Sequence, residues 1–383
     1  MFLDPGQRRL AIGVWVTSYS VGGAIGPLLG GVVLEYFWWG SVFLLGVPVM
    51  LLLLIVGPVL LPEYRDPNAG RLDLLSAGLS LAAVLLVIYG LKRIAEHGPE
   101  WPAAWAIVTG TVVGVVFVRR QRSLTHPLID LALFRSPGFS ASLAAYTLGT
   151  FVAFGVYVFL AQYLQLVLGL SPLRAGLATL PSMAAFIVGS AAVPPIARRV
   201  RPAYAIAGGM AVSAAGFVVV AFGGAAESLP LLVIGSVIYS VGLSPVVILA
   251  TDLIVGSAPV ERAGAASAIS ETGSELGGAL GIAILGSIGT AVYRGAMLGV
   301  APDGLSPEAG AAARATLGGA VAAAMSLPDK VGAGLLATAR DAFAQAFEVA
   351  ALVSAAIALV TAIGTVLLVP AARPSAEVAR AEG

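Results

Sequence analysis

The sequence predicts an all-α membrane protein that crosses the lipid bilayer about ten times. Hydrophobic residues make up 58% of its 383 residues and charged residues only 11%, whereas roughly a quarter of the residues in a soluble domain are charged. Its mean hydropathy is +0.96. The apolar residues also fall into long stretches bounded by charges, as expected for helices that cross a membrane.

Ten such stretches follow one another along the chain. Each is long enough to cross a hydrocarbon core of about 30 Å at roughly 1.5 Å per helical residue. They cover residues 10–34, 39–61, 73–91, 102–118, 138–166, 173–197, 203–222, 229–254, 263–292 and 344–369. The long connection 293–342, rich in Ala and Gly, is predicted to be an extracellular excursion with one short surface helix.

The positions of Lys and Arg predict the orientation, because positive loops are retained on the cytoplasmic side. Fourteen of the 21 Lys and Arg residues fall on one side of the predicted spans. Four of the other seven lie in connection 293–342, and long loops follow the rule poorly. Both termini are therefore predicted to be cytoplasmic. The basic segment 119–136 is predicted to be a cytoplasmic loop with Leu128, Leu131 and Leu133 along the membrane interface.

Composition disfavours several other classes of function. The 21 Lys and Arg residues balance 20 Asp and Glu residues, so no basic field favours nucleic acid as a partner. The absence of cysteine excludes disulfides and thiolate metal sites. The two histidines, His97 and His126, fall in predicted connections, and no nucleophile, base and metal constellation is evident. We expect no cofactor and no metal, and an enzyme is the least favoured class.

The first predicted span carries a glycine-rich string. Gly22, Gly26 and Gly30 recur every four residues on one face, and Gly23, Pro27 and Gly31 form the adjoining stripe. Small residues at this spacing let another helix approach closely, and Pro27 permits a bend. A phosphate-binding loop is disfavoured because no Walker lysine is present. Ordinary helix packing is the alternative to a role in transport.

Two carboxylates lie inside a predicted span. Glu271 and Glu275 are four residues apart and project from one helical face. They lie roughly 14 and 20 Å past Arg262, well within the apolar slab. Carboxylates inside a membrane are costly and usually face a cavity or a proton relay. The spacing favours a site for proton coupling and cation binding, with a hydrogen bond between helices as the alternative.

Other polar and aromatic side chains are weaker candidates for the same cavity. Asp252, near the inner end of span 229–254, is either a cavity acid or a charge at the cytoplasmic helix end. Span 138–166 is rich in aromatic rings and amides, which suit a cavity for lipophilic cations or plain packing and lipid contact. These candidates are Tyr146, Phe154, Tyr157, Gln162 and Gln165.

Several motifs resemble the major facilitator superfamily, and specifically its fourteen-helix drug/proton antiporters of the EmrB/QacA type. The antiporter motif of that family has the form G-x-x-x-G-P-x-x-G-G. Its next helix opens with W-x-x-x-F-x-x-x-x-P. The matching residues are Gly22, Gly26, Pro27, Gly30 and Gly31, followed by Trp39, Phe43 and Pro48. Later stretches around Tyr163 to Pro181 and Ala263 to Ser287 agree as well.

The resemblance implies how the chain is divided. If the glycine motif marks the fifth helix of the family, the chain corresponds to helices five to fourteen, and the first four are absent. Residues 1–61 are then the last two helices of the N-terminal bundle, and 62–136 are a two-helix linker hairpin with its basic loop. Residues 137–370 form the C-terminal six-helix bundle, and 371–383 a cytoplasmic tail. The glycine motif is expected to contact span 173–197.

The resemblance also implies a function. It is proton-coupled export of hydrophobic, cationic drugs or toxic compounds across the bacterial cytoplasmic membrane by a monomer, with Glu271 and Glu275 as the coupling acids. The partners would be a small-molecule substrate, protons and the lipid bilayer. Export of an endogenous metabolite or antibiotic, and a truncated membrane protein that does not transport, are the alternatives.

Overall fold

The structure is a computed structural model, and it describes residues 22–23, 25–60, 73–98, 100–124, 127–258, 263–300 and 305–368. The regular structure in these ranges is helical throughout. Nine of the helical stretches in this part of the chain are long and apolar enough to cross a membrane. The sequence predicted ten spans, and the first of them is represented by a shorter apolar helix, α1 (Ile25–Tyr36).

The first third of the chain forms α1 and three further membrane-length spans. A short helix, α2 (Ser41–Leu44), leads into α3 (Gly46–Leu60), and together they make one span. Next come α4 (Leu74–His97) and α5 (Trp101–Ser123), which pack against each other as a hairpin. Gly110 permits this close packing, because a Cβ atom there would lie 2.9 Å from the Ala83 carbonyl oxygen.

The second half of the chain forms a bundle of six long helices. They are α6 (Pro137–Gln162), which continues as a π-helical turn (Tyr163–Val167), then α7 (Pro172–Ala197), α8 (Pro202–Ala225), α9 (Leu229–Gly256), α10 (Ala263–Ala296) and α13 (Asp329–Leu368). Proline in the first turn begins α6, α7, α8 and α9, where its missing N–H costs no intrahelical hydrogen bond. Ser136 and Ser171 cap α6 and α7.

Small residues bring the bundle helices close together. At the α8–α9 contact, a Cβ atom on Gly216 would lie 2.8 Å from the Gly235 carbonyl oxygen. The Phe217 and Tyr239 rings stack there with centroids 4.9 Å apart. The core of the bundle runs between α6, α8, α9 and α13 and contains fully buried Phe217 and Phe347. Helices with glycine at the contact bury backbone against backbone, which suits membrane packing.

The predicted extracellular excursion is more helical than expected. Two short helices, α11 (Pro307–Ala315) and α12 (Leu317–Ala324), replace the one surface helix. The last long helix begins at Asp329, although the last span was predicted to start at residue 344. The early part of α13 is amphipathic, with Leu335, Ala339 and Phe343 buried on one face. Hydropathy alone missed this segment because its other face is polar.

The basic loop also differs from its prediction. Arg119, Arg120 and Arg122 lie within α5, which continues to Ser123. Leu133 does not lie along the membrane interface but is 5% exposed, in a small cluster with Phe139, Ile254, Ala266 and Ile269. Leu128 is exposed. We call the end of the bundle where α5 finishes and α6 and α10 start the basic end.

Candidate functional site

A tight parallel contact between α6 and α10 forms the frame of the candidate site. Glycine recurs every four residues on α10, and each glycine meets α6 one turn further along. A Cβ atom on Gly273 would lie 2.8 Å from a Leu143 methyl carbon, and one on Gly281 would overlap the Phe151 carbonyl oxygen. On this side of α10 there is therefore no room for a side chain larger than the hydrogen atom of glycine. The charged residues of α10 must point elsewhere.

Glu271 and Glu275 lie on another face of α10, and both side chains are exposed. Counted from Ala263, the start of the helix, they are about 12 and 18 Å along its axis. Within the described chain, neither carboxylate forms an ion pair. The two carboxyl groups, one helical turn apart in the first half of a 34-residue helix, form an acidic face on α10.

Phe154 of α6 is the aromatic residue beside this exposed face of α10. A Cβ atom on Gly278 would lie 3.3 Å from the Phe154 ring, and Gly278 is three residues beyond Glu275. Residues three apart on a helix are neighbours on its surface, so the ring lies about one turn from the carboxylate. The Phe154 side chain is 50% exposed. At the α6–α10 contact, the Phe154 ring thus lies against Gly278, one helical turn beyond Glu275.

The remaining predicted site residues are dispersed along the bundle. Tyr157 is one turn beyond Phe154 and 36% exposed, while Tyr146 packs against both the main core and the cluster around Leu133. The Gln162 and Gln165 side chains are exposed at the far end of α6. Their amides donate to carbonyl oxygens of their own helix, at 3.4 Å to Val158 and 3.1 Å to Ala161. Together with Glu271, Glu275, Phe154 and Asp252, these residues make eight predicted site residues, and they do not form one cluster.

Asp252 lies in the last turns of α9, four residues before its end at Gly256. Its side chain is exposed, while nearby Ile254 is fully buried in the cluster that contains Leu133. This cluster is at the basic end of the bundle. The position fits the second of the two alternatives for Asp252, a charge at a helix end, better than the first, a cavity acid beside Glu275.

The glycine motif of α1 contacts α7 through only one of its two stripes. A Cβ atom on Gly31 would lie 2.9 Å from the Leu173 Cα atom, and one on Gly176 would lie 2.8 Å from the Pro27 carbonyl oxygen. A Cβ atom on Gly22, Gly26 or Gly30 would meet no described atom within 4 Å. The expected partner is therefore present, but the contact uses the adjoining stripe, because Gly176 supplies a second small surface opposite Pro27.

Two residues near the site were not singled out from the sequence. Ser270 precedes Glu271, is 3% exposed, and its hydroxyl has no hydrogen-bond partner in the described chain. Tyr239 of α9 is 6% exposed and stacked on Phe217. A polar side chain within an apolar span was the available indication in both cases. No group of three potential metal ligands occurs among the described residues; His126 and the His97 side chain lie outside them.

Comparisons with known proteins give the same class of protein. Residues 1–282 match the family model of the Major Facilitator Superfamily. The chain is 40% identical over 362 residues to the multidrug efflux pump LfrA of Mycolicibacterium smegmatis, covering 94% of this chain and 71% of that protein. It is 31% identical over 364 residues to the methyl viologen resistance protein SmvA of Salmonella typhimurium, covering 95% and 73% of the two chains.

Two further comparisons concern an exporter and a solved structure. The chain is 31% identical over 374 residues to the tetracenomycin C resistance and export protein of Streptomyces glaucescens, covering 94% of this chain and 68% of that protein. It resembles the crystal structure of a bacterial homologue of the human lysosomal transporter Spinster with a TM-score of 0.52 and 17% identity. That match covers 95% of this chain and 72% of the other, and it shows the fold alone.

Proposed function

Because this chain belongs to the Major Facilitator Superfamily and is a multi-pass membrane transporter, we propose that it exports hydrophobic, cationic compounds from the bacterial cytoplasm in exchange for protons. Both termini are then cytoplasmic. Drug efflux is the activity named for LfrA, and methyl viologen, which names SmvA, is an aromatic dication. The transported class is therefore proposed from both the relatives and the chemistry of the site.

The pair Glu271 and Glu275 carries this proposal. A carboxylate beside an aromatic ring attracts a lipophilic cation through charge and through the ring face. A proton and a cation compete for the same carboxylate, because a protonated carboxyl group no longer attracts a positive charge. A proton taken up on one side then displaces the cation, and loss of the proton on the other side restores the negative site. Exchange follows from competition for the same carboxylates.

We propose that the chain is of the fourteen-helix type, and the hairpin of α4 and α5 supports this. Two helices of membrane length lie between α3 and the six-helix bundle, where the fourteen-helix type has its linker hairpin. The division into residues 1–61, 62–136 and 137–370 follows from this assignment. The glycine motif then lies at the contact between the two bundles, through Gly31 and Gly176.

A second function, export of an antibiotic or endogenous metabolite, is favoured by one observation. The relative from Streptomyces glaucescens is named for tetracenomycin C, so proteins with this much similarity differ in substrate class. The open face of α10 also presents Thr272 and Ala279 beside the carboxylates, which suits a neutral polycyclic compound as well as a cation. The two candidates differ in whether the substrate must be charged.

Transport in proteoliposomes tests both candidates. The chain is reconstituted, a pH gradient is imposed, and movement of a fluorescent lipophilic cation is compared with that of a neutral polycyclic dye. Transport of the cation, driven by the gradient and abolished when the gradient is collapsed, supports the first proposal. Transport of the neutral dye alone supports the second. Movement of neither compound contradicts both and leaves the alternative that the chain does not transport.

A further inference from the structure

A polar cluster joins the two helices of the α4–α5 hairpin at the basic end. The Arg120 guanidinium donates to both carboxylate oxygens of Asp73, with Nη2 3.2 Å from Oδ1 and 3.0 Å from Oδ2 and with Nε 3.2 Å from Oδ2. Its Nε also lies 3.2 Å from the Ser76 hydroxyl. The Gln121 amide donates to that hydroxyl at 2.7 Å. We call Asp73, Ser76, Arg120 and Gln121 the hairpin clamp.

The clamp is partly shielded from water, with the Arg120 side chain 33% exposed. Ser76 and Gln121 are 0% and 2% exposed, and the Asp73 side chain is 17% exposed. Asp73 also accepts the Ser76 backbone N–H at 3.2 Å and so caps α4. Bidentate pairing of arginine with a carboxylate has a defined geometry, unlike a single surface ion pair. The clamp therefore sets the relative position of α4 and α5 and does more than balance charge.

The clamp also holds the connection that leads from α5 into the six-helix bundle. The Gln121 side-chain oxygen accepts the backbone N–H of Ile129 at 3.2 Å. Four residues later Leu133 is buried with Phe139, Ile254 and Ile269. The segment 127–135 is thus fixed to the hairpin at one point and to the basic ends of α6, α9 and α10 at another.

The clamp is connected in two ways to α10, the helix that carries Glu271 and Glu275. Directly, α4 packs along α10. Indirectly, Leu133 belongs to the same buried cluster as Ile269, which is two residues before Glu271. The hairpin therefore lies against α10 through α4, and the segment 127–135 lies against the first turns of α10 through the cluster around Leu133. A shift of the hairpin changes the surroundings of the first turns of α10 through packed side chains.

We propose that Arg120 is a positioning residue for transport: by clamping Asp73 and Ser76 it docks the α4–α5 hairpin on α10 and holds the basic end of the glutamate-bearing helix in place. The hairpin is then a working part of the transporter, and does more than connect two bundles. The proposal rests on the proposed function for its effect on transport. Its structural part, docking of the hairpin on α10, is independent of any substrate.

The test uses the absence of cysteine in the chain. Spin labels are attached to Leu81→Cys on α4 and Ala279→Cys on α10, both exposed positions, and the distance between them is measured in the full chain without substrate. Arg120→Gln is expected to broaden or shift the distance distribution. Arg119→Gln and Arg122→Gln, matched exposed arginines on the same helix, are expected to leave it unchanged.

Transport provides the second measurement. Arg120→Gln is expected to lower turnover roughly three- to tenfold, while the substrate concentration at half-maximal rate stays unchanged, because the residue does not touch the substrate. Arg120→Lys keeps the positive charge but loses the planar guanidinium that pairs with both carboxylate oxygens, so it should recover part of the turnover. If Arg120→Gln does not fold, Asp73→Asn keeps the helix cap, removes the ion pair and should give the same changes.

Three results overturn the proposal. One is an unchanged label distance in both Arg120→Gln and Asp73→Asn. Another is an equal effect of Arg119→Gln, which would show that only general charge matters. The third is a changed distance with unaltered turnover, which would leave the clamp a purely structural contact. Absence of transport in the unaltered chain contradicts the proposed function instead, and the label distances still decide whether the hairpin is docked by Arg120.

Discussion

At the scale of single residues, one face of α10 packs against α6 and another face carries its two glutamates. Gly273 and Gly281 meet α6 so closely that no side chain fits. Glu271 and Glu275 fall on an exposed face of the same helix. Residues four apart share a face while residues two apart do not, so the alternation of glutamate and glycine places the two carboxylates side by side and away from the glycine contact.

Replacement of each glutamate tests its proposed role. Glu271→Gln and Glu275→Gln keep the shape of the side chain and remove its ability to carry charge. We expect at least one to weaken the effect of the pH gradient on cation efflux by a factor within the roughly 5–150-fold range of coupling between linked sites. Efflux is measured against imposed pH gradients in proteoliposomes. Glu308→Gln in α11 is the matched control, and equal gradient dependence in all three variants would contradict the assignment.

Asp73 predicts a pH dependence of the hairpin. The hydrogen bond from the Ser76 hydroxyl, with further contributions from the Ser76 amide and Arg120, holds the pKa of Asp73 below its ordinary value of 3.8. Since the folded-state pKa is lower than the unfolded one, the stabilisation is complete above the ordinary pKa and is lost as pH falls through the folded-state value. We expect the melting temperature to fall over this acidic range.

Asp73→Asn separates this carboxyl group from the others. The variant keeps a cap on α4 but has no group to titrate. The melting temperature is measured from pH 6 down to about pH 3, a range that includes the ordinary aspartate pKa. The melting temperature of the variant should depend less on pH than that of the unaltered chain. An identical pH profile for the two proteins would show that the charge of Asp73 contributes nothing to folding.

At the scale of elements, helix lengths and contacts depend on different features of the sequence. Hydropathy predicted the existence and order of the long helices, because crossing a bilayer requires apolar length. It placed the start of α13 too late, since the amphipathic segment from Asp329 to Phe343 contains Lys330, Arg340 and Asp341. It also placed Arg120 in a loop, although the residue lies in α5 and pairs with Asp73. Hydropathy did not predict which helices contact each other.

The contact between α6 and α10 gives a prediction for stability. Gly281→Ala would place a Cβ atom against the Phe151 carbonyl oxygen, and α10 would have to move away. We expect a destabilisation of about 1–3 kcal/mol, the usual cost of overpacking. Gly286→Ala is the control on the same helix, since a Cβ atom there meets nothing within 4 Å, and it should be neutral or stabilising by about 0.5–1 kcal/mol.

Thermal unfolding in detergent measures both glycine variants. The informative quantity is the difference between them, because alanine favours the helix at either position and only the contact with α6 differs. A melting temperature for Gly281→Ala equal to or above that of Gly286→Ala would show that α6 and α10 are further apart than the structure has them.

At the scale of the whole molecule, the orientation in the membrane is the main testable consequence of the charge distribution. The basic end, with Arg119 and Arg122, is predicted to be cytoplasmic by the positive-inside rule. The turn after α12 lies in the opposite connection, and Met325 there is 84% exposed. Single cysteines at these places are unique reporters in a chain without cysteine.

A membrane-impermeant maleimide applied to intact cells reads the orientation directly. We expect Met325→Cys to be labelled in intact cells, and Arg122→Cys to be labelled only after the membrane is opened. Labelling of both variants in opened membranes controls for expression and access. The reverse pattern in intact cells would place the basic end outside and contradict the predicted cytoplasmic termini.

The sequence by itself predicted that this protein is helical, that it spans a bilayer several times and that two glutamates lie one turn apart in one of its long helices. These properties depend on local composition and on spacing along one helix, so they need no knowledge of neighbours. The glycine string and the tryptophan and proline that follow it also predicted the superfamily, which the family match confirms.

Only the tertiary structure decided which faces meet. It placed the Phe154 ring against Gly278 and the Gln162 and Gln165 side chains at the far end of α6. It also showed that α1 meets α7 through Gly31 and Pro27, and not through the stripe of Gly22, Gly26 and Gly30. It also joined Arg120 to Asp73 across 47 positions of sequence. In a chain of uniformly apolar helices, hydropathy does not distinguish one face from another, so partners are chosen by shape and hydrogen bonding, which appear only after the helices have packed.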